Sequence, residues 1–112
     1  MSRSIDVSKL LPEAAAQAHS LGLRIRIARQ RRGLRVEDVA EKAQVSKKTV
    51  EAVEKGSVTT SLGAYLAVLS CMSLGNELDL IADPGLDRDG AILVYEQATH
   101  RVRPSRKLNN NF

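Results

Sequence analysis

The stretch from Val39 to Gly56, VAEKAQVSKKTVEAVEKG, constrains this chain more than any other. It reads as two short helices joined by a tight turn. Ser46 is placed as an N-cap whose hydroxyl accepts a first-turn amide, and Lys47 through Lys55 continue without Gly or Pro. At about 100° per residue, Lys47, Lys48, Glu51, Ala52 and Lys55 fall on one side of the second helix. Val50 and Val53 fall on the other, with Val45 just ahead of them. The second helix therefore has one face for packing and one for contact.

At 112 residues the chain has room for one modestly sized core and its tails. Aromatic residues are confined to Tyr65, Tyr95 and Phe112, so the core must come from Leu, Ile, Val and Ala, which suits closely packed helices. The net charge of +4 hides a block structure. Residues 1–75 hold twelve Lys and Arg against seven Asp and Glu, residues 76–96 one against six, and residues 97–112 four against none. The two basic blocks suit an anionic polymer such as duplex DNA.

Several function classes are disfavoured. Cys71 is the single cysteine, and His19 and His100 are isolated, so neither a disulfide nor a metal cluster is expected and no catalytic constellation is visible. Without a cofactor motif, no cofactor is expected. There is no apolar run of about 18 residues and no secretory h-region at the start, so a cytoplasmic protein with no membrane contact is expected.

Along the chain, residues 1–10 read as a loose polar arm. Pro12 and Glu13 open a helical stretch. Gly22 interrupts its pattern, leaving two alternatives: a leading helix over 12–19 followed by one over 21–32, or a single continuous helix. Gly33 ends that stretch. The next helix is predicted over 36–42 with Val36, Val39 and Ala40 inward, and the polar-faced helix over 46–54, closed by Gly56. Ser61 caps a further helix with an apolar stripe of Leu62, Tyr65, Leu66, Val68 and Leu69, ending near Leu74 and Gly75. Asn76–Ala82 fits a short helix or a strand, with helix preferred, and Asp89–Thr99 fits either. The acidic residues Glu77, Asp79, Asp83, Asp87 and Asp89 suit caps and solvated loops. His100–Phe112 is basic with almost nothing to bury.

From Leu21 to about Ala82 the sequence resembles the Xre or lambda-repressor-like helix-turn-helix family. The resemblance rests on L-G-L-R-I-R, R-R-G-L, V-E-D-V-A-E-K-A, Q-V-S-K-K-T-V-E-A-V-E-K-G and S-L-G-A-Y-L-A-V-L, in that order over about 60 residues. It implies an all-α fold of five helices that binds double-stranded DNA as a homodimer. The organisation expected is an arm and possible leading helix over 1–20, the DNA-binding domain over 21–82, and an extension with a basic tail over 83–112. The family also implies a structural ion pair between Arg29 and Glu54. Three positions depart from its pattern. Gln44 stands where glycine is usual, and Val36 and Ala52 stand where polar DNA-contacting side chains are common.

Lys47 and Lys48 are therefore the main candidates for DNA contact, able to donate to guanine O6 and N7 or to phosphate, with Ala52 able to meet a thymine methyl. Thr49, Glu51 and Lys55 complete that face, and Arg24 and Arg35 are candidates for phosphate. The competing reading of paired lysines is an ordinary solvated helix face. The arginines from Arg24 to Arg35 are spread around their helix, so only part of the run can face DNA.

A sequence-specific transcriptional regulator follows, occupying an operator as a homodimer. The layout of L-G-N-E-L-D-L-I-A-D-P with its basic extension also resembles HipB-like antitoxins. That resemblance implies a second expectation, a protein that binds a HipA-type kinase toxin and autoregulates its operon. RNA binding through the tail is disfavoured, because no aromatics are interleaved to stack unpaired bases.

Overall fold

The computed structural model describes residues 6–100. Five α-helices and two 3-10 segments make up its regular structure: α1 Pro12–Arg31, α2 Val36–Ala43, α3 Lys47–Glu54, α4 Leu62–Cys71 and α5 Arg88–His100, with 3-10 turns at Val7–Lys9 and Gly75–Leu80. The fold is all-α, as its sequence predicts. The chain divides into two units, Met1–Asn76 and Glu77–Phe112.

In the first unit, α1 packs on α3, α2 packs on α3 and α4, and α3 packs on α4. The core is small and aliphatic. Val39, Val50, Val53 and Val68 are completely enclosed, joined by Ile25, Ala40, Ala64, Tyr65, Leu69 and Met72. Tyr65 fits this core because its hydroxyl donates to the Ser57 carbonyl at 2.7 Å, leaving no buried polar atom unpaired at that end of the ring.

The same backbone device ends all four helices of this unit. After each, a residue in the left-handed region lets two successive amides turn back onto the last carbonyls, as Gly33 and Leu34 do onto Gln30 and Arg29. Gln44, Gly56 and Ser73 repeat the arrangement. The starts differ. Ser46 and Ser61 cap α3 and α4 by accepting from the amides of Thr49 and Ala64, at 3.0 and 3.1 Å. Before α2 stands Arg35, which has no side-chain acceptor, and Asp38 compensates by accepting from the Arg35 amide at 2.7 Å.

Several sequence expectations are resolved or corrected here. Gly22 does not break α1, which runs unbroken from Pro12 to Arg31. The glycine instead permits a close approach. A Cβ at Gly22 would collide with the Gly56 amide and lie 2.7 Å from the carbonyls of Val53 and Glu54, while one at Gly56 would strike the Ala18 carbonyl. Two backbones meet with no side chain between them, fixing the end of α3 against the middle of α1.

The stripe expected on α4 is displaced. Leu62 is 68% exposed and Leu66 37%, and the buried face is Ala64, Tyr65, Val68 and Leu69. An almost wholly apolar helix gives periodicity little contrast, so only its neighbours decide which side is covered. This helix also stops at Cys71, short of Leu74, because Ser73 turns left-handed. Cys71 is half-buried, its thiol donating to the Val68 carbonyl at 3.1 Å, and burial pushes its pKa up. Residues 7–9 of the supposed loose arm form a 3-10 turn capped by Asp6.

Beyond α4, Asn76–Ala82 falls mostly within the 3-10 segment and Asp89–Thr99 within α5, so neither is a strand. The Asp87 carboxylate accepts from the Gly90 amide at 3.0 Å at the start of α5. No residue of α5 is buried. The basic tail residues Arg101, Arg103, Arg106 and Lys107 lie outside the described residues.

Candidate nucleic-acid interface

Two helices of eight residues, α2 and α3, are joined by Gln44, Val45 and Ser46. Gln44 lies in the left-handed region, at φ 59° and ψ 43°, and its amide and that of Val45 return to the carbonyls of Glu41 and Ala40. The chain thus reverses within three residues. Burial of Val50 and Val53 then orients α3, and the opposite side carries Lys47, Lys48, Glu51 and Lys55, all exposed.

The polar side chains differ in how free they are. Lys48 and Lys55 take part in none of the ion pairs among the described residues. Lys47 is held by Glu37, Nζ to Oε2 at 3.5 Å. Thr49 is half-buried, and its hydroxyl lies 2.8 Å from the Ser46 hydroxyl, so it is engaged in the cap. Ala52 is half-buried at the edge of the face. Arg35 is exposed and forked onto the Asp38 carboxylate, which holds that carboxyl below the ordinary aspartate range. Arg24, also exposed, donates to the Ser20 hydroxyl of its own helix at 2.7 Å. The structure thus gathers Lys47, Lys48, Glu51 and Lys55 on one side of α3, whereas Arg24 belongs to α1 and is bonded there.

Behind this face, Arg29 and Glu54 form a nearly enclosed ion pair, with 12% and 8% of their side chains exposed. It joins α1 to the C-terminal end of α3. Sequence reasoning missed Glu37. Its ten-residue separation from Lys47 carries no local signal, and only the reversal at Gln44 brings the two together.

The model of the helix-turn-helix domain family matches residues 20–76, just over half of the chain. The chain belongs to that family. Its match covers α2, the turn and α3 together with all of α4 and the C-terminal part of α1, and gives this helix-turn-helix protein a DNA-binding domain of the kind carried by regulators. No curated protein matches the chain. Among the described residues, no helix is long and apolar enough to cross a membrane.

Proposed function

We propose that this helix-turn-helix protein regulates transcription by occupying an operator as a homodimer, reading it with the exposed side of α3. The observation that carries the reading is that side itself. Three lysines and a glutamate project from a helix whose other side is locked into the core by Val50 and Val53. In this reading Lys47 and Lys48 contact base edges or phosphate, Ala52 meets an apolar base edge, and Thr49, Glu51 and Lys55 border the contact. Arg24 and Arg35 serve phosphates.

A single short recognition helix spans only a few base pairs, and two-fold pairing doubles both the contact and the site. The exposed face of α5 supports pairing. Ala91, Val94, Tyr95 and Ala98 recur at the spacing of one helical stripe, and Tyr95 is 69% exposed. A thirteen-residue helix is marginal in water unless it buries such a face.

The test is selection of bound fragments from sheared genomic DNA, run beside a Lys47→Ala/Lys48→Ala variant at the same salt. Enrichment of inverted repeats by the wild type alone is expected, and no enrichment by either would refute the reading. Sedimentation should show a dimer that Val94→Asp with Tyr95→Glu converts to monomer. The antitoxin reading rests on the sequence layout and on the same uncovered helix. A wild type that is monomeric alone but forms a stable complex with a kinase encoded beside it would favour that alternative.

A further inference from the structure

Glu37 occupies the first turn of α2 and is 55% exposed, contributing nothing to the core. Three cations surround it, since Arg29, Arg35 and Lys47 all act on or feel its charge. Two of them are engaged elsewhere, Arg29 with Glu54 and Arg35 with Asp38. Lys47, the first residue of α3, is the one whose ammonium lies against the Glu37 carboxylate. Both carboxylate and ammonium border the α2–turn–α3 reversal that forms the candidate interface.

We propose that Glu37 is a specificity-determining residue of the DNA-binding face, holding the Lys47 ammonium so that this lysine serves base edges instead of the phosphate backbone. This rests on the operator reading above. An unrestrained lysine on a flexible stem gravitates to phosphate, which adds affinity but no sequence information. Beside Glu37, leaving for a phosphate merely exchanges one anion for another and strands a carboxylate against the polyanion. A guanine edge makes no such demand. An ammonium has three N–H groups, so Lys47 can keep Glu37 and still donate to O6 or N7. The carboxylate in turn is an acceptor matched to cytosine N4, and against guanine or thymine oxygens it faces acceptor with acceptor. The pair therefore favours a G·C base pair at its position, where guanine offers the lysine two adjacent acceptors and cytosine offers the carboxylate a donor. Lys48 and Lys55, outside any ion pair among the described residues, supply the sequence-independent attraction.

The full chain is titrated with its selected duplex and with a random-sequence duplex over a range of salt, as wild type, Glu37→Ala, Glu37→Gln and Glu37→Ala/Lys47→Ala. Loss of the carboxylate should tighten random-duplex binding and steepen its log–log salt slope by about 0.9, one extra phosphate contact. The preference for the selected duplex should narrow roughly five- to tenfold, the range of one polar base contact. Removing Lys47 as well should cancel the added slope. Glu37→Gln, which keeps the shape without the charge, should follow Glu37→Ala. Unchanged slope and preference in Glu37→Ala, with a wild type that discriminates, would overturn the role of Glu37 alone. A wild type that does not discriminate would sink the operator reading and this inference together. Equal urea midpoints across the set exclude misfolding as the cause.

Discussion

The Arg29 guanidinium grips both carboxylate oxygens of Glu54, Nε to Oε2 at 2.6 Å and the terminal nitrogen to Oε1 at 3.1 Å, across twenty-five residues of sequence. Its other terminal nitrogen donates to the Leu34 carbonyl at 2.9 Å. One side chain on α1 therefore holds both the end of α3 and the link to α2. The hydrogen bond that Arg29 donates to Glu54 raises the Arg29 pKa against the opposing effect of burial. Removing either partner leaves the other nearly enclosed and uncompensated, so Arg29→Ala is expected to cost about 3–5 kcal/mol. Urea denaturation checks this, and an unchanged midpoint would show that the pair is merely decorative. An Arg29→Met/Glu54→Leu double variant should lose less than either single alanine variant.

Gly22→Ala separates helix propensity from packing. In an open helix the change would stabilise by roughly 1 kcal/mol. Here a Cβ would enter the backbone of residues 53–56, which cannot swing aside as a side chain could. A net loss of about 1–3 kcal/mol is expected, the usual scale for overpacking. A higher melting temperature would contradict the close approach.

Gln44→Gly should do the opposite. The glutamine holds a left-handed backbone at the turn, a conformation that a side chain disfavours by about 1 kcal/mol and glycine adopts freely. The variant should gain up to about 1 kcal/mol in thermal unfolding and keep its DNA affinity, since the Gln44 side chain is exposed and hydrogen-bonds to none of the described residues.

Acid should weaken the start of α2. Hydrogen bonds from the Arg35 guanidinium and then from its amide lower the Asp38 pKa below its ordinary value of 3.8. A carboxyl whose folded pKa lies below its unfolded one adds stability that is fully present above the unfolded value and is lost as pH falls through the folded one. The stability difference between wild type and Asp38→Asn should therefore be constant at neutral pH and shrink once pH drops below about 4. A difference independent of pH down to 2 would assign the effect to the shape of the cap alone.

What the sequence by itself determined lies in local chemistry. Ser46 and Ser61 announced the starts of α3 and α4, Gly33 and Gly56 the ends of α1 and α3, and the spacing of Val50 and Val53 against Lys47 and Lys48 set which side of α3 packs. Each depends on residues within one or two helical turns. Only tertiary structure decided the rest. Gly22 left a break and a continuous helix both open, and it is the surface on which another backbone rests. Leu62 and Leu66 looked like core on an apolar helix with no polar side to orient it, but α2 and α3 cover a different face. Segment 89–99 fits helix and strand alike by pattern, since Ile92, Val94 and Tyr95 suit either, and it is helical. Glu37 met Lys47 only because the chain reverses at Gln44. Contacts between residues distant in sequence leave no periodic trace, and the fold alone brings them together.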